Sequence, residues 1–303
     1  MPHGPTGLRA LAYAGLAAAM LAWSGNWIVG RAVRDDIAAG YLTAGRVLVM
    51  VALLAPFALP GLRAKLAGLS RRELALVAAL GFTGGGPHNA MQYLGMHYTT
   101  ATNGTLLNSF LPMLVMLFAR FMIREPVSGR QLSGVAVSFA GILAIVSGGD
   151  PAALAALRLN PGDLLVLASL VLLALFTVLL RSRADALSTA QLLFMVGVTA
   201  LPWLVPWLVW EWLHGATLAP TATAAGAVLY AGLIAGLGAY VAWNFGVRVL
   251  GAGRASVFVH LLPAFGVVLA AIFLGEAPCA YHFAGIALVL AGIALAAWRK
   301  AAS

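Results

Sequence analysis

The 303-residue chain is 62 % hydrophobic and 9 % charged, where a soluble domain carries about a quarter charged residues, so a water-soluble fold would leave much of its apolar surface exposed. Its net charge of +9 is dispersed as single residues and short clusters between apolar runs, which excludes a nucleic-acid face and suits loops that orient a membrane protein. One cysteine, Cys279, excludes an internal disulfide and is expected to be a packed small residue.

In chain order, apolar runs long enough to cross about 30 Å of hydrocarbon fall at 10–29, 41–60, 74–96, 101–123 and 130–148, then at 163–180, 189–213, 222–247, 252–274 and 278–298. The segment before them is too weakly charged, and the first run too long, for an ordinary cleaved signal. The expectation is an all-α membrane protein of ten transmembrane helices. Turn residues at Gly148-Gly149-Asp150-Pro151 divide it into a first repeat over 1–148, a linker over 149–161 and a second repeat over 162–303.

The two halves carry the same text. Ala101, Thr105, Leu111-Pro112, Glu125, Gly134 and Gly141 return 151 residues later as Ala252, Ser256, Leu262-Pro263, Glu276, Gly285 and Gly292. Gly81, Gly85 and Gly95 likewise pair with Gly232, Gly236 and Gly246. Each copy reads as a helix hairpin, with an apolar run holding one proline, a Glu, a short turn and a glycine-spaced apolar run. Five spans per half is an odd number, so the second half crosses the membrane in the opposite sense. Such inverted repeats are common in secondary transporters, with substrate bound between the halves near the midplane.

Basic residues collect in cytoplasmic loops. With the N-terminus inside, that side holds Arg9, Arg63, Lys65, Arg71, Arg72, Arg120, Arg124, Arg130, Arg181, Arg183, Arg248, Arg254, Arg299 and Lys300, against Arg31, Arg34 and Arg158 outside. Both termini are therefore expected in the cytoplasm.

Paired interruptions point to a site: Gly84-Gly85-Gly86-Pro87 in span 3 and Gly236-Leu237-Gly238 in span 8. They suit either irregular backbone around a cavity or close helix packing. After the first break, His88 and Gln92 share one helical face and Asn89 and Tyr93 the next, with Asn26, Asn108 and Ser109 at comparable depth. Any one of these polar side chains could also serve interhelical hydrogen bonding alone. Arg46, a little over one turn inside span 2, suits a substrate carboxylate, with snorkelling to headgroups as the rival; Arg120 reads as snorkelling.

Trp203, Trp207, Trp210 and Trp212 read mainly as an interfacial belt. Trp23, Tyr230, Tyr240, Trp243 and His260 lie deeper and suit walls around an aromatic or apolar substrate. Glu125 and Glu276, at membrane edges, are expected to accept hydrogen bonds that fix the turn into the next helix. The spans hold no acidic pair, no HExxH and no GxSxG, and no Lys-Ser/Thr follows the glycines, so no catalytic, metal or cofactor site is expected. His88 and His260 are the deep titratable groups other than tyrosine, and passive movement down a gradient is the expectation.

Leu274-Gly275-Glu276, preceded by Leu262-Pro263 and followed by Gly285 and Gly292, resembles the EamA domain of the drug/metabolite transporter superfamily; Ile123-Arg124-Glu125 is a weaker copy. With Trp23, Asn26 and Gly86-Pro87-His88-Asn89, the chain is similar to the YddG-type amino-acid exporters. The resemblance implies two EamA units, no enzyme activity, and export of aromatic and other neutral amino acids and related metabolites through a bacterial inner membrane. A small zwitterion and the lipid bilayer are the implied partners, and the oligomeric state stays open. A sugar-phosphate or nucleotide-sugar carrier of the same superfamily is the alternative, which should need more than one buried cation. A membrane-embedded enzyme is a further one.

Overall fold

The structure, a computed structural model, describes residues 6–99, 101–155, 157–158, 160–182, 187–274 and 278–297. These are helical apart from turns and one isolated bridge between Ile37 and Leu218. The first half contains α1 (Thr6–Ala32), α2 (Ala39–Ala58), a short α3 (Leu62–Ala67) and α4 (Arg71–Leu80). α4 runs through a π-helical stretch, Gly81–Gly85, into α5 (Pro87–Tyr98), followed by α6 (Ala101–Asn108), α7 (Leu111–Met122) and α8 (Gly129–Val146). A short α9 (Pro151–Ala155) lies in the linker, then come α10 (Pro161–Leu179) and α11 (Thr189–Leu213). α12 (Ala222–Leu229) passes through a second π-helical stretch, Tyr230–Gly238, into α13 (Ala239–Leu250). α14 (Ala252–Ser256), a 3-10 turn (Val257–His260), α15 (Leu261–Leu274) and α16 (Ala280–Ala297) complete it.

Among the described residues, eight helices are long and apolar enough to cross a membrane, where ten were expected. α1 and the α4–α5 rod are not among the eight. Both carry polar side chains that turn into the bundle, Ser24 and Asn26 on one and His88 and Asn89 on the other, and these lower the apolar content. Helix starts are written locally: Ser70 with Glu73, Ser128 with Gln131, Asn160 with Asp163 and Ser188 with Gln191 form reciprocal capping boxes. Hydrogen bonds from the Ser70 backbone and hydroxyl hold the Glu73 carboxyl below its usual range.

The main packing pairs join one half to the other: α8 with α16, α5 with α10, α1 with α13 and α2 with α11. Glycine makes the first of these possible. A Cβ on Gly134 would lie 2.5 Å from the Gly292 carbonyl oxygen, and one on Gly141 would lie 2.5 Å from that of Gly285. The glycine spacing shared by the halves is therefore an antiparallel helix contact at backbone distance.

α2 is fastened to α11 at both ends. Glu211 accepts from the Gly40 N–H (2.8 Å), the Tyr41 N–H (3.2 Å) and Trp207 Nε1 (2.9 Å), satisfying the unpaired donors at the start of α2. Gln191 Nε2 donates to the carbonyls of Ala58 (3.3 Å) and Pro60 (3.2 Å) at its far end. Glu211→Ala is expected to cost about 1–2 kcal/mol, the range for losing a cap and its dipole interaction, read as a lower thermal midpoint in detergent. An unchanged midpoint would show that these bonds carry no net weight.

Trp203, Trp210 and Trp212 are exposed on α11, as a belt requires, while Trp207 turns to Glu211. Cys279 is exposed rather than packed, because it sits in the turn before α16, where its N–H donates to His282 Nδ1. Glu276 lies outside the described residues.

Candidate substrate cavity

The two glycine interruptions give wide helical turns that send backbone carbonyls inward. Gly84 O accepts from Tyr240 Oη (2.6 Å) and Asn89 Nδ2 (3.2 Å). Its counterpart 151 residues on, Ala235 O, accepts from Trp23 Nε1 (2.9 Å) and Arg46 Nη2 (3.4 Å). Gly85 also packs closely, since a Cβ there would meet the Val196 carbonyl oxygen of α11 at 2.9 Å, whereas the nearest atom to a Cβ on Gly236 is the Ala231 carbonyl oxygen of its own wide turn, at 2.8 Å. Gly86 precedes Pro87, which opens α5 where a missing N–H costs nothing. Gly238 ends the second wide stretch.

Arg46 sits at the centre, 5 % exposed and about two turns into α2, deeper than expected from the sequence. Nη1 donates to Asn89 Oδ1 (2.7 Å) and Tyr93 Oη (3.1 Å), and Tyr93 Oη donates onward to Asn26 Oδ1 (2.9 Å). The guanidinium lies 6.0 Å from the ring centres of both Tyr93 and Tyr240. Snorkelling does not describe this side chain. Among the described residues the ion pairs are Arg34 with Asp35 and Arg181 with Glu125, so the Arg46 charge is met by neutral acceptors and ring faces.

A cavity of about 30 Å³ lies against it, lined by Trp23, Asn26, Trp27, Arg46, His88, Asn89, Gln92, Asn108 and Tyr240, with Leu111, Leu173, Val259 and Leu262. That is room for about two water molecules. Eight of the expected residues thus converge, and three stand elsewhere. Tyr93 lies behind Arg46 and braces it. Trp243 is fully buried, its ring centre 5.2 Å from that of Trp23 with the planes tilted by 46°. His260 is fully buried between the Ser138 hydroxyl and the Ser109 carbonyl (2.9 Å), tying the 3-10 turn to α8 and to the end of α6.

The lining residues not foreseen had partial signals. Trp27 is one helical turn from Trp23, and Leu111 and Leu262 precede the repeated prolines. Val259 is the repeat counterpart of Asn108. His88 Nδ1 donates to the Ser169 carbonyl (2.9 Å), since that oxygen only accepts, which fixes the ring against α10. Tyr230 Oη donates to Ala22 O (2.9 Å), bracing α1 rather than walling the cavity.

A carboxylate ties neighbouring elements together at each end of the bundle. At the end rich in basic residues, Glu125 accepts from the N–H groups of Gly253 (3.2 Å) and Ala252 (3.4 Å) and pairs with Arg181 (3.8 Å). Arg181 Nη1 also donates to Arg248 O (3.0 Å). Glu125 therefore secures the first turn of α14 in the other half, rather than the turn into its own next helix. Gly251 (φ +95°) makes room, because a Cβ there would sit 2.8 Å from Glu125 Oε1. At the opposite end, buried Asp163 accepts from the Thr99 hydroxyl, Asn103 Nδ2 (2.9 Å) and the Asn160 N–H (2.9 Å). Among the described residues no three His, Cys, Asp or Glu gather to hold a metal ion.

The model of the EamA-like transporter family matches residues 10–147 and again 160–298. The uncharacterized transporter YetK of Bacillus subtilis (strain 168) is 26 % identical over 295 residues, covering 95 % of this chain and 87 % of the relative. An uncharacterized transporter of Archaeoglobus fulgidus is 29 % identical over 286 residues, covering 92 % and 95 %. A protein named "Probable terminal-alkyne amino-acid exporter", from Streptantibioticus cattleyicolor, is 29 % identical over 227 residues, covering 74 % of this chain and 73 % of its own. A crystal structure 18 % identical in sequence superposes with a TM-score of 0.73 over 97 % of both chains, a likeness of fold alone. With both of its halves matched, this multi-pass membrane chain belongs to the EamA-like transporter family.

Proposed function

We propose that the protein is an alternating-access carrier exporting aromatic and other neutral amino acids and related small metabolites across a bacterial inner membrane. The observation that carries this reading is Arg46, buried beside a cavity and without a carboxylate partner among the described residues. A substrate carboxylate would supply the missing anion through a forked, charge-assisted hydrogen bond. Trp23 and Trp27 offer apolar faces for the rest of the molecule, and Asn26, Gln92 and Asn108 offer neutral acceptors for an ammonium. The relative named an amino-acid exporter supports the substrate class. Arg46 is the one fully buried Lys or Arg among the described residues, which disfavours a sugar-phosphate or nucleotide-sugar carrier.

In this reading the chain crosses the membrane ten times, as inverted repeats over 1–148 and 162–303 joined by 149–161, with both termini in the cytoplasm and the basic end facing it. The antiparallel crossing of α8 and α16 supports that arrangement. A cavity of about 30 Å³ is far below the roughly 300 Å³ of an ordinary ligand pocket, so the halves must part for substrate to enter. In this reading Glu125 of the first half and Arg181 of the second, 3.8 Å apart, hold the halves together at the basic end.

The test is flux in proteoliposomes loaded with radiolabelled phenylalanine or leucine. Saturable efflux and counterflow are expected, indifferent to an imposed pH gradient or an uncoupler. Absence of flux for any amino acid would overturn the substrate class. Uphill movement driven by a pH gradient and lost in His88→Ala would overturn the passive mechanism and make that histidine the coupling group.

A further inference from the structure

Three polar atoms are wholly buried with no hydrogen-bond partner among the described residues at adjacent positions of α13: Nε1 of Trp243 and both amide atoms of Asn244. Both side chains are 0 % exposed. Buried polar groups are nearly always paired, so three orphans side by side are a local cost that some other state must relieve.

Their place suggests which state. Tyr240, Asn244 and Arg248 recur every fourth residue, so they form one stripe along α13. Tyr240 lines the central cavity at the upper end of the stripe. At its lower end the Arg248 carbonyl is held by Arg181, beside Glu125. Asn244 therefore lies between the cavity and the Arg181–Glu125 contact at the basic end. The duplication adds an independent argument. Asn244 falls 151 residues after Tyr93, and Trp243 after Gln92. Gln92 lines the cavity and Tyr93 is fully engaged with Arg46 and Asn26, whereas their counterparts are idle. In an inverted repeat the two halves exchange environments between access states, so a pair idle in one state is expected to be engaged in the other.

We propose that Asn244 and Trp243 form a second substrate subsite, on the passage between the central cavity and the basic end, occupied while that passage is open. The chemistry suits an α-amino acid without a charged side chain in attendance. Asn244 Nδ2 and Trp243 Nε1 donate to the carboxylate, and Asn244 Oδ1 accepts from the ammonium. This rests on the carrier reading above.

Asn244→Leu tests it, with three readouts: thermal midpoint, equilibrium binding of radiolabelled phenylalanine to purified protein, and proteoliposome turnover. Leucine removes two orphan atoms at similar volume, so the midpoint is expected to hold or rise. Binding should stay within about twofold and turnover should fall about tenfold, because the loss is confined to the second subsite. Asn244→Gln, keeping the amide, should recover part of the turnover. Wild-type turnover in Asn244→Leu would overturn the proposal, as would a joint fall in midpoint and binding, which marks a structural amide held by buried water. Absence of flux in the wild type would instead overturn the carrier reading itself.

Discussion

Arg46→Ala is expected to reduce transport of carboxylate-bearing amino acids by about 10- to 150-fold, because a hydrogen-bonded charge pair contributes roughly 1.5–3 kcal/mol and each 1.4 kcal/mol is a factor of ten. Decarboxylated analogues such as phenethylamine should lose far less, since they never offered the anion. Arg46→Lys should resemble the alanine variant more than the wild type. A lysine ammonium lacks the planar fork that reaches Asn89, Tyr93 and the Ala235 carbonyl together. Competition of each compound for phenylalanine efflux measures the ratio directly. Equal loss for acids and amines would assign Arg46 to holding α2, α5 and the second wide turn together, and would remove it from recognition.

The second large effect is on stability. Gly134→Leu is expected to cost at least about 1–3 kcal/mol, the usual range for overpacking, because the obstacle is backbone rather than a movable side chain. The new Cβ would meet the Gly292 carbonyl oxygen at 2.5 Å and the Ala296 nitrogen at 2.7 Å, so α8 and α16 must separate along their length. Gly226→Leu is the control, since nothing lies within 4 Å of a Cβ there and the position is exposed. Size-exclusion profiles and thermal midpoints in mild detergent should separate the two. Similar profiles for both would mean that the glycine pairing is dispensable.

Hydropathy placed most helices within a few residues of their observed ends, because apolar runs of membrane length leave few alternatives. The repeat was legible because glycine, proline and the turn glutamate are constrained by backbone geometry. Its consequence, that Gly134 meets Gly292 and Gly141 meets Gly285, needed coordinates. Polar residues beyond the glycine break were legible as inward-facing for the same reason that they weaken α1 and α4–α5 as membrane helices.

Orientation within the bundle was less readable. Trp243 and His260 have the right composition for a wall, yet helix rotation turns one behind Trp23 and the other into Ser138 and Ser109. Periodicity reports which face is polar and not which neighbour it meets. Arg46 was legible as an intramembrane charge but not as a braced one, since Asn89, Tyr93 and Ala235 come from distant parts of the chain. Glu125 was expected to act on its own turn, because sequence proximity hides a partner in the other half.

A structure of the protein with bound 4-bromophenylalanine tests the central claim most directly, because the bromine locates the ring and the density locates the carboxylate. The carboxylate should lie within hydrogen-bond distance of the Arg46 guanidinium, with the ring between Trp23 and Trp27 and the cavity widened around it. A ligand bound with its carboxylate away from Arg46, or an Arg46 that keeps all its bonds to Asn89, Tyr93 and Ala235 while substrate sits elsewhere, would contradict the account.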